Sequence, residues 1–487
     1  MRKRFITNLL FLLVLNLLIK SFWILGVDRG VQNALPAEDY GIYFALLNFS
    51  YLFNIILDFG ITNYNNRTIA QYPQLLNKYF SRIIPIKILL SSVYILLIFI
   101  IAIIAGYNPF SLKLLFWMSL SQVLSSLLLY LRSNISGLLM FKTDSILSVM
   151  DRFLMVVICS ILLWTNFLKT PFKIEYFVYA QFISYLITTI IALIICIKKS
   201  SFIRLKFSLA FLIKIAKDSY PYALLVLLMA FYNRIDSVMI ERILSSDGAE
   251  ASSIYASAFR LVDAANMIAY LFSIILLPLF ANLIKNRGEL VPIIKISFHL
   301  LLLLTLGFAI ISNFYSFEIM EILYNKHIDE SAEVYKILSL CFMPIAMTYI
   351  FGTLLTANNS MKKLNIVAFF GMVLNIGINL FLIPRFQALG AAYSSLIAQS
   401  ITSILQIIIA IKLFNIRINP RYILKISLFI IFSIGFALII KSIIHSWLLS
   451  SAGIISVIII LSIIFNIFNI KDLKSLIKTG IKPNSGT

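Results

Sequence analysis

Apolar runs about 20 residues long recur along almost the whole of this 487-residue chain. A helix of about that length crosses the hydrocarbon core of a bilayer. Transmembrane β-strands alternate apolar and polar residues, so unbroken runs of this length exclude a β-barrel. Composition agrees, since 61% of the residues are hydrophobic, 13% are charged and the mean hydropathy is +0.97. The chain is therefore predicted to be an all-α polytopic membrane protein.

The runs predict about fourteen transmembrane helices. The first run follows the basic residues MRKR and continues past Lys20 to about Val27 without a small-residue cleavage site. It therefore indicates a spanning helix rather than a signal peptide. The predicted spans lie at about 5–27, 40–62, 83–105, 114–140, 146–168, 174–197, 218–243, 252–284, 296–316, 333–357, 364–384, 388–411, 423–443 and 449–470.

Lysine and arginine are distributed unevenly between the two sides of this topology. With the N-terminus in the cytoplasm, inside segments carry 28 of the 41 Lys and Arg residues, outside segments carry nine, and four lie within spans. The inside count includes Lys87 and Arg152. Because cytoplasmic loops are enriched in Lys and Arg, the bias predicts that both termini are cytoplasmic.

The longest basic connection, at about 198–217, divides the chain near its middle. It contains FSLAFLIKIAKD, which is predicted to form an amphipathic helix on the cytoplasmic leaflet. The two halves are also weakly similar. AEDYGIY at 37–43 and AEASSIY at 249–255 share Ala, Glu, Ile and Tyr at one offset, each just before the second span of its half. Duplicated halves with a site between them are a common transporter plan.

The sequence lacks the motifs that would indicate other classes of function. The net charge of +21 is scattered over short loops rather than gathered on one soluble face, so nucleic acid is not an expected partner. The three cysteines lie far apart in apolar runs, and the three histidines have no ligand-like spacing. We find no P-loop, HExxH or GxSxG motif and no soluble domain large enough for an active site. We therefore expect neither an enzyme nor a metal or other cofactor.

Four basic residues within predicted spans are candidates for substrate binding: Lys20, Arg132, Arg234 and Arg260. An arginine at the centre of a spanning helix costs roughly 2.5–3.5 kcal/mol on insertion scales, so it needs a protein partner, a water-filled cavity or a ligand. These residues outnumber the deeply placed acids, and a basic cavity suits phosphate, diphosphate or an acidic sugar. The candidate supporting or coupling residues are Asn16, Asp58, Asn233, Asp236, Glu241 and Asp263.

Each main candidate also has a purely structural interpretation. The long stem of Lys20 allows it to snorkel to the interface. Asp58 is placed to cap a helix, and Arg260 is one turn from Asp263 and can pair with it. Arg132 lies in a polar stripe that is equally suited to hydrogen bonds between helices.

Three longer segments carry recognisable motifs. They are LPAEDYGIYFALLNFSYLFNIILDFGITNYNNRTIA at 35–70, RIDSVMIERILSSDGAEASSIYASAFRL at 234–261 and ALGAAYSSLIAQS at 388–400. They resemble the turn and "L-D-x-G" element around the second helix, the seventh-to-eighth helix hairpin, and the later "GxxGAAxxT" helix of bacterial polysaccharide transporters of the O-antigen flippase type. That family belongs to the multidrug/oligosaccharidyl-lipid/polysaccharide exporter superfamily. Pro36 stands near where the family usually has a glycine.

The resemblance implies two six-helix lobes around a central cleft. In this chain they would be 1–197 and 218–414, joined by a basic cytoplasmic linker at 198–217 and followed by two further helices at 415–470 and a cytoplasmic tail at 471–487. It also implies a protein of the bacterial inner membrane that flips undecaprenyl-diphosphate-linked oligosaccharide to the outer leaflet by alternating access. Expected partners are this lipid-linked oligosaccharide, membrane lipids and a polysaccharide polymerase complex. Basic residues facing the cleft matter in related flippases, and the four candidates above match that role.

Three alternatives remain at this point. A lipid II-type flippase would carry a different cargo but would place the same physical requirements on the protein. An ion-coupled small-molecule or multidrug exporter would favour acidic residues in its cavity. A membrane polymerase or acyltransferase usually has a large external loop or a His-centred motif, whereas the longest predicted outside loop here is at about 317–332.

Overall fold

The computed structural model describes residues 16, 18, 19, 21–165, 170–200, 206–416 and 419–467. Every regular element in this part of the chain is helical, and eleven of the helices are long and apolar enough to cross a membrane. The prediction of an all-α polytopic fold is therefore confirmed. The α-helices of the described part are α1 (Arg29–Ala34), α2 (Ala37–Leu52), α3 (Ile61–Gln71), α4 (Leu76–Ile104), α5 (Pro109–Gly137), α6 (Phe141–Trp164), α7 (Ile174–Lys199), α8 (Leu209–Ile243), α9 (Gly248–Lys285), α10 (Val291–Phe314), α11 (Ser316–Leu323), α12 (Ile328–Leu340), α13 (Phe342–Ala357), α14 (Met361–Phe414), α15 (Pro420–Ile443) and α16 (Trp447–Ile464).

Contacts within the chain define two compact units, Met1–Ala256 and Ser257–Thr487, with the boundary inside α9. In the first unit, buried side chains from six helices, α3 to α8, form one core, including Ile61, Phe80, Leu131, Ala192 and Ile215. In the second unit, Leu302, Phe429 and Ile458 bring α10, α15 and α16 together. Lipid tails are as apolar as these side chains, so close packing rather than the hydrophobic effect holds such helices together.

The second predicted span is broken, although the sequence predicts a continuous helix over 40–62. The helix α2 ends at Leu52, a 3₁₀ turn covers Asn54–Leu57, and α3 begins at Ile61. Gly60 adopts the left-handed conformation with φ of 79°, which glycine reaches without steric cost. Asp58 and Gly60 lie just before α3, so the helix restarts inside an apolar run where hydropathy gives no sign of a break.

Two predicted spans, 364–384 and 388–411, meet without a loop inside α14. Gln387 interrupts the helical backbone there, with φ of 51° and ψ of −130°. Gly390 allows the close approach that follows, because a Cβ atom on it would lie 2.4 Å from the carbonyl oxygen of Leu382. Most of the first predicted span lies outside the described residues, so the total of fourteen spans stays a prediction.

The segment predicted to form an interfacial amphipathic helix is the beginning of α8 instead. The helix continues through Pro221 into the apolar run, without a separate element on the membrane surface. Phe211 packs edge-on against Tyr79, with ring centroids 5.4 Å apart, and Ile215 is buried. These contacts attach one face of the segment to the first unit, while Leu209 and Ile213 on the same segment remain exposed.

Candidate functional site

Two arginines in the first unit lie well inside apolar helices and against aromatic rings. Arg152 occupies the middle of α6, with its guanidinium carbon 5.4 Å from the ring centroid of Trp23 and 5.8 Å from that of Tyr185. Its Nη2 atom donates a hydrogen bond of 3.2 Å to the Tyr185 hydroxyl. Aromatic faces attract a cation strongly where water is scarce, so these rings hold Arg152 at a depth that would otherwise be costly.

Arg234 on α8 is held in a similar way. Its guanidinium carbon lies 5.0 Å from the ring centroid of Tyr51, and its Nη1 atom donates a hydrogen bond of 3.2 Å to Oδ1 of Asn48. The Nδ2 atom of Asn48 donates in turn to Oγ of Ser237, at 2.9 Å. Asn48 thus connects α2 with α8 on the face that carries Arg234.

Tyr51 is a neighbour of both arginines. It contacts Arg234 through its ring and lies within the wider electrostatic surroundings of Arg152. The carboxylate of Asp151 is 3.5 Å from Nε of Arg152, a loose pairing between adjacent residues. We call Arg152, Arg234 and Tyr51 the arginine–tyrosine site. It presents two planar guanidinium groups, which match phosphate oxygens in geometry as well as in charge.

A second charged group stabilises the break between α2 and α3. The Nζ atom of Lys87 donates to Oδ1 of Asp58 at 2.5 Å, to the carbonyl oxygen of Leu57 at 2.9 Å and to Oγ of Ser126 at 3.0 Å. Asp58 also accepts hydrogen bonds from the backbone and hydroxyl of Thr62. An ammonium group has three donors, so these three acceptors saturate Lys87 inside the protein.

The predicted basic candidates are not all brought together. Nε of Arg132 lies 2.8 Å from Oδ1 of Asp144, which joins the end of α5 to the first turn of α6. Arg260 lies on α9 in the second unit and has interaction partners, as does Asp263 one turn later. Lys20 lies outside the described residues. Of the four candidates, Arg234 is therefore the one that the structure shows in the arginine–tyrosine site.

The supporting candidates occupy several places. Asn16 donates a hydrogen bond of 3.0 Å to Ser148, and Asp58 pairs with Lys87 as described. Buried Asp236 accepts a hydrogen bond of 2.9 Å from the Tyr255 hydroxyl. Asn233 precedes Arg234 on α8 and has interaction partners. Glu241 pairs with the adjacent Arg242, whose guanidinium lies over the ring of Tyr107.

Sequence reasoning did not select Lys87 or Arg152 as candidate site residues. The charge count put Lys87 and Arg152 in cytoplasmic segments, whereas the structure places both inside apolar helices. Hydropathy locates a span but not its ends, so a charge near an uncertain boundary is easily moved outside. The available signal was that apolar residues continue on both sides of each charge. Most of their partners come from other parts of the chain, and no local pattern reveals them.

The two similar segments noted in the sequence contact each other within the first unit. A Cβ atom on Gly41 would lie 1.7 Å from the carbonyl oxygen of Ala249, so α2 and α9 touch through their backbones. Oγ of Ser252 donates to the carbonyl oxygen of Gly41 at 3.2 Å. Only a residue without a side chain permits this approach.

Comparisons with known proteins agree with this architecture. A structure described as the lipid II flippase MurJ in an inward closed conformation matches with a TM-score of 0.68 and 16% identity, covering 92% of this chain and 98% of that one. An inward-facing multidrug resistance MATE family transporter of the MOP superfamily matches with a TM-score of 0.64 and 14% identity, covering 80% and 93%. A MOP superfamily transporter from Pyrococcus furiosus matches with a TM-score of 0.57 and 12% identity, covering 83% and 94%. A search of curated proteins finds no match.

These similarities define a multi-pass helical membrane protein with the fold shared by MurJ and the MATE transporters. The sequence comparison is more specific. Residues 8–284 match the family described as "Polysaccharide biosynthesis protein", which is more than half of the chain. The chain therefore belongs to the polysaccharide biosynthesis protein family.

Proposed function

We propose that this protein is a flippase that moves an undecaprenyl-diphosphate-linked oligosaccharide, an O-antigen, capsule or related repeat unit, from the cytoplasmic to the outer leaflet. The arginine–tyrosine site is the observation that carries the proposal. Two guanidinium groups held inside apolar helices suit an anionic ligand, and a diphosphate has the charge and the oxygen geometry to match them. Family membership and the fold support transport rather than a catalytic role.

In this proposal, Arg152 and Arg234 bind the diphosphate of the cargo. Tyr51 orients the guanidinium of Arg234, while the prenyl tail stays in the lipid. Arg132, Arg260 and Lys20 remain proposed further contacts.

The same proposal includes the membrane location, topology, partner and driving force of the protein. We place it in the bacterial inner membrane with both termini in the cytoplasm, since the bias of Lys and Arg favours that side. Alternating access would move residues 1–197 against residues 218–414. A polysaccharide polymerase is the proposed downstream partner, because a flipped repeat unit has to be assembled in the outer leaflet. The driving force would be an ion gradient or the membrane potential.

Leaflet exchange in vesicles tests the proposal. Purified protein is reconstituted with fluorescent undecaprenyl-diphosphate oligosaccharide, and exchange is followed by quenching with and without an ion gradient. A charged hydrogen bond contributes about 1.5–3 kcal/mol, so Arg152→Gln and Arg234→Gln should each slow exchange about tenfold to a hundredfold. Arg82→Gln is a matched control, because Arg82 also lies over an aromatic ring, that of Phe211, but away from the site.

The outcomes separate the competing functions. Exchange that is unchanged in both arginine variants would refute the role of the arginine–tyrosine site. Wild-type exchange of lipid II in place of the oligosaccharide would identify a lipid II-type flippase. Transport of cationic dyes without exchange of either lipid would identify a small-molecule exporter.

A further inference from the structure

The second unit contains a separate basic group where α10 and α15 begin and α16 ends. Lys295 and His299 lie in the first turns of α10, and Tyr422 and Lys425 lie in the first turns of α15. Asn466 lies two residues after the end of α16, and its carbonyl oxygen accepts a hydrogen bond of 3.1 Å from Nζ of Lys425. Three helix ends thus gather these side chains at one membrane surface. The distribution of Lys and Arg predicts that this surface is cytoplasmic.

Tyr422 organises the group. Its hydroxyl is hydrogen-bonded to Nε2 of buried His299 at 2.7 Å, and Nζ of Lys295 lies 5.3 Å from the centroid of its ring. Because His299 is 6% exposed and belongs to the packed interior, it fixes the tyrosine ring in place. The ring in turn holds the ammonium group of Lys295 near the protein surface.

The two lysines repel each other. Lys295 acts electrostatically on Lys425, and within the described part of the chain neither lysine has a carboxylate partner. Like charges held close together by fixed partners favour a bound anion, because an anion between them removes the repulsion.

The surroundings indicate a lipid rather than a soluble anion. Val291, Ile423 and Leu424 flank the lysines and are 50%, 53% and 60% exposed. On helices that cross a membrane, exposed aliphatic side chains face acyl chains. A phosphate attached to acyl chains would therefore contact both the basic group and its apolar border. Juxtamembrane lysines attract anionic headgroups over this short range.

We propose that Lys295, Lys425 and Tyr422 form a binding site for the phosphate headgroup of an anionic glycerophospholipid. The site belongs to the second unit alone and is separate from the arginine–tyrosine site of the first unit. Lipid binding at this site depends on neither the cargo nor transport. Its occupant belongs to the surrounding bilayer.

Native mass spectrometry of the full chain, released from micelles containing phosphatidylglycerol or phosphatidylcholine, tests the site. Wild-type protein should retain phosphatidylglycerol in preference to phosphatidylcholine. Each lysine near an anionic headgroup contributes about fivefold to binding, so Lys295→Gln and Lys425→Gln should each lower retention by about that factor. Lys295→Arg and Lys425→Arg should keep it, because the charge remains.

Lys441→Gln is the matched control within the same unit. Nζ of Lys441 also lies over aromatic rings, those of Phe314 and Tyr315, and donates to a backbone carbonyl, that of Phe314. Equal retention of phosphatidylglycerol by the wild type and the double variant Lys295→Gln/Lys425→Gln would overturn the proposal, provided that both elute as monodisperse protein. Displacement of the lipid by millimolar inorganic phosphate would also overturn it, because the site would then recognise a free anion.

Discussion

The Nζ atom of Lys87 lies 2.5 Å from Oδ1 of Asp58, and the pair joins α4 to the break between α2 and α3. The side chain of Lys87 is 4% exposed and that of Asp58 is 26% exposed. A buried ammonium group without its partner is costly, and the same is true of the carbonyl of Leu57 that it satisfies. The pair therefore stabilises an interruption that apolar packing alone would not.

Lys87→Met is expected to lower the free energy of unfolding by about 3 kcal/mol, the lower end of the range for a buried pair, because Asp58 keeps some access to solvent. Thermal unfolding in detergent, followed by fluorescence, measures the change. The double variant Lys87→Met/Asp58→Asn should recover part of the loss, since it removes the uncompensated carboxylate. Lys113→Met replaces an exposed lysine and should be neutral. Equal losses in the two lysine variants would contradict the assignment.

Tyr51→Ala is expected to weaken binding of undecaprenyl diphosphate by about fivefold, because Arg234 loses the ring that orients it. Tyr51→Phe keeps the ring and should bind almost as the wild type does. Titration of the purified protein with the lipid, monitored by native mass spectrometry, gives the affinities. Tyr220→Ala removes an exposed tyrosine from the same helix as Arg234 and is the control. Weaker binding by Tyr51→Phe than by Tyr51→Ala would argue against a ring contact.

Gly41→Ala should destabilise the first unit by at least about 1–3 kcal/mol, because the new methyl group would overlap the carbonyl oxygen of Ala249. Gly377 and Gly435 offer matched controls, since a Cβ atom at either position meets nothing within 4 Å. Alanine there should be neutral or stabilising by up to about 1 kcal/mol, the difference in helix propensity. Melting temperatures of the three variants provide the comparison. A Gly41→Ala protein as stable as Gly377→Ala would show that α2 and α9 are free to separate.

Acidification should stabilise the protein through Asp39, which precedes the apolar part of α2. Burial first, and then the nearby charges of Glu175 and Glu38, raise the pKa of Asp39 above its ordinary value of 3.8. The folded state therefore binds this proton at a higher pH than the unfolded state does. The contribution of Asp39 protonation to the free energy of unfolding increases as the pH falls from the folded-state pKa toward 3.8. This contribution is lost as the pH rises above the folded-state pKa.

Asp39→Asn removes that titration. The variant should be more stable than the wild type at neutral pH, and the difference should shrink as the pH is lowered. Thermal unfolding of both proteins across mildly acidic pH tests this expectation. Parallel pH profiles for the two proteins would show that Asp39 does not contribute.

Hydropathy alone predicted most of the helices of this fold, because burial in lipid requires long apolar runs wherever the chain crosses. It did not predict the break at Gly60 or the contact between Gly41 and Ala249, since both depend on backbone geometry rather than on polarity. Arg234 was predicted as a site residue because it lies clearly inside a run. Arg152 was not, because the charge count placed it in a cytoplasmic segment and its partners Trp23 and Tyr185 come from distant parts of the chain.

The pairing of Lys87 with Asp58 also bears on how the chain enters the membrane during synthesis. A lone charge at the centre of a spanning helix costs roughly 2.5–3.5 kcal/mol on insertion scales. We therefore expect that neither the broken helix pair α2–α3 nor α4 inserts favourably into the membrane on its own. Inserted together, the two segments neutralise each other before they meet lipid. We expect this ion pair to favour joint insertion of the consecutive helices, so one contact in the folded protein bears on the order of its biogenesis.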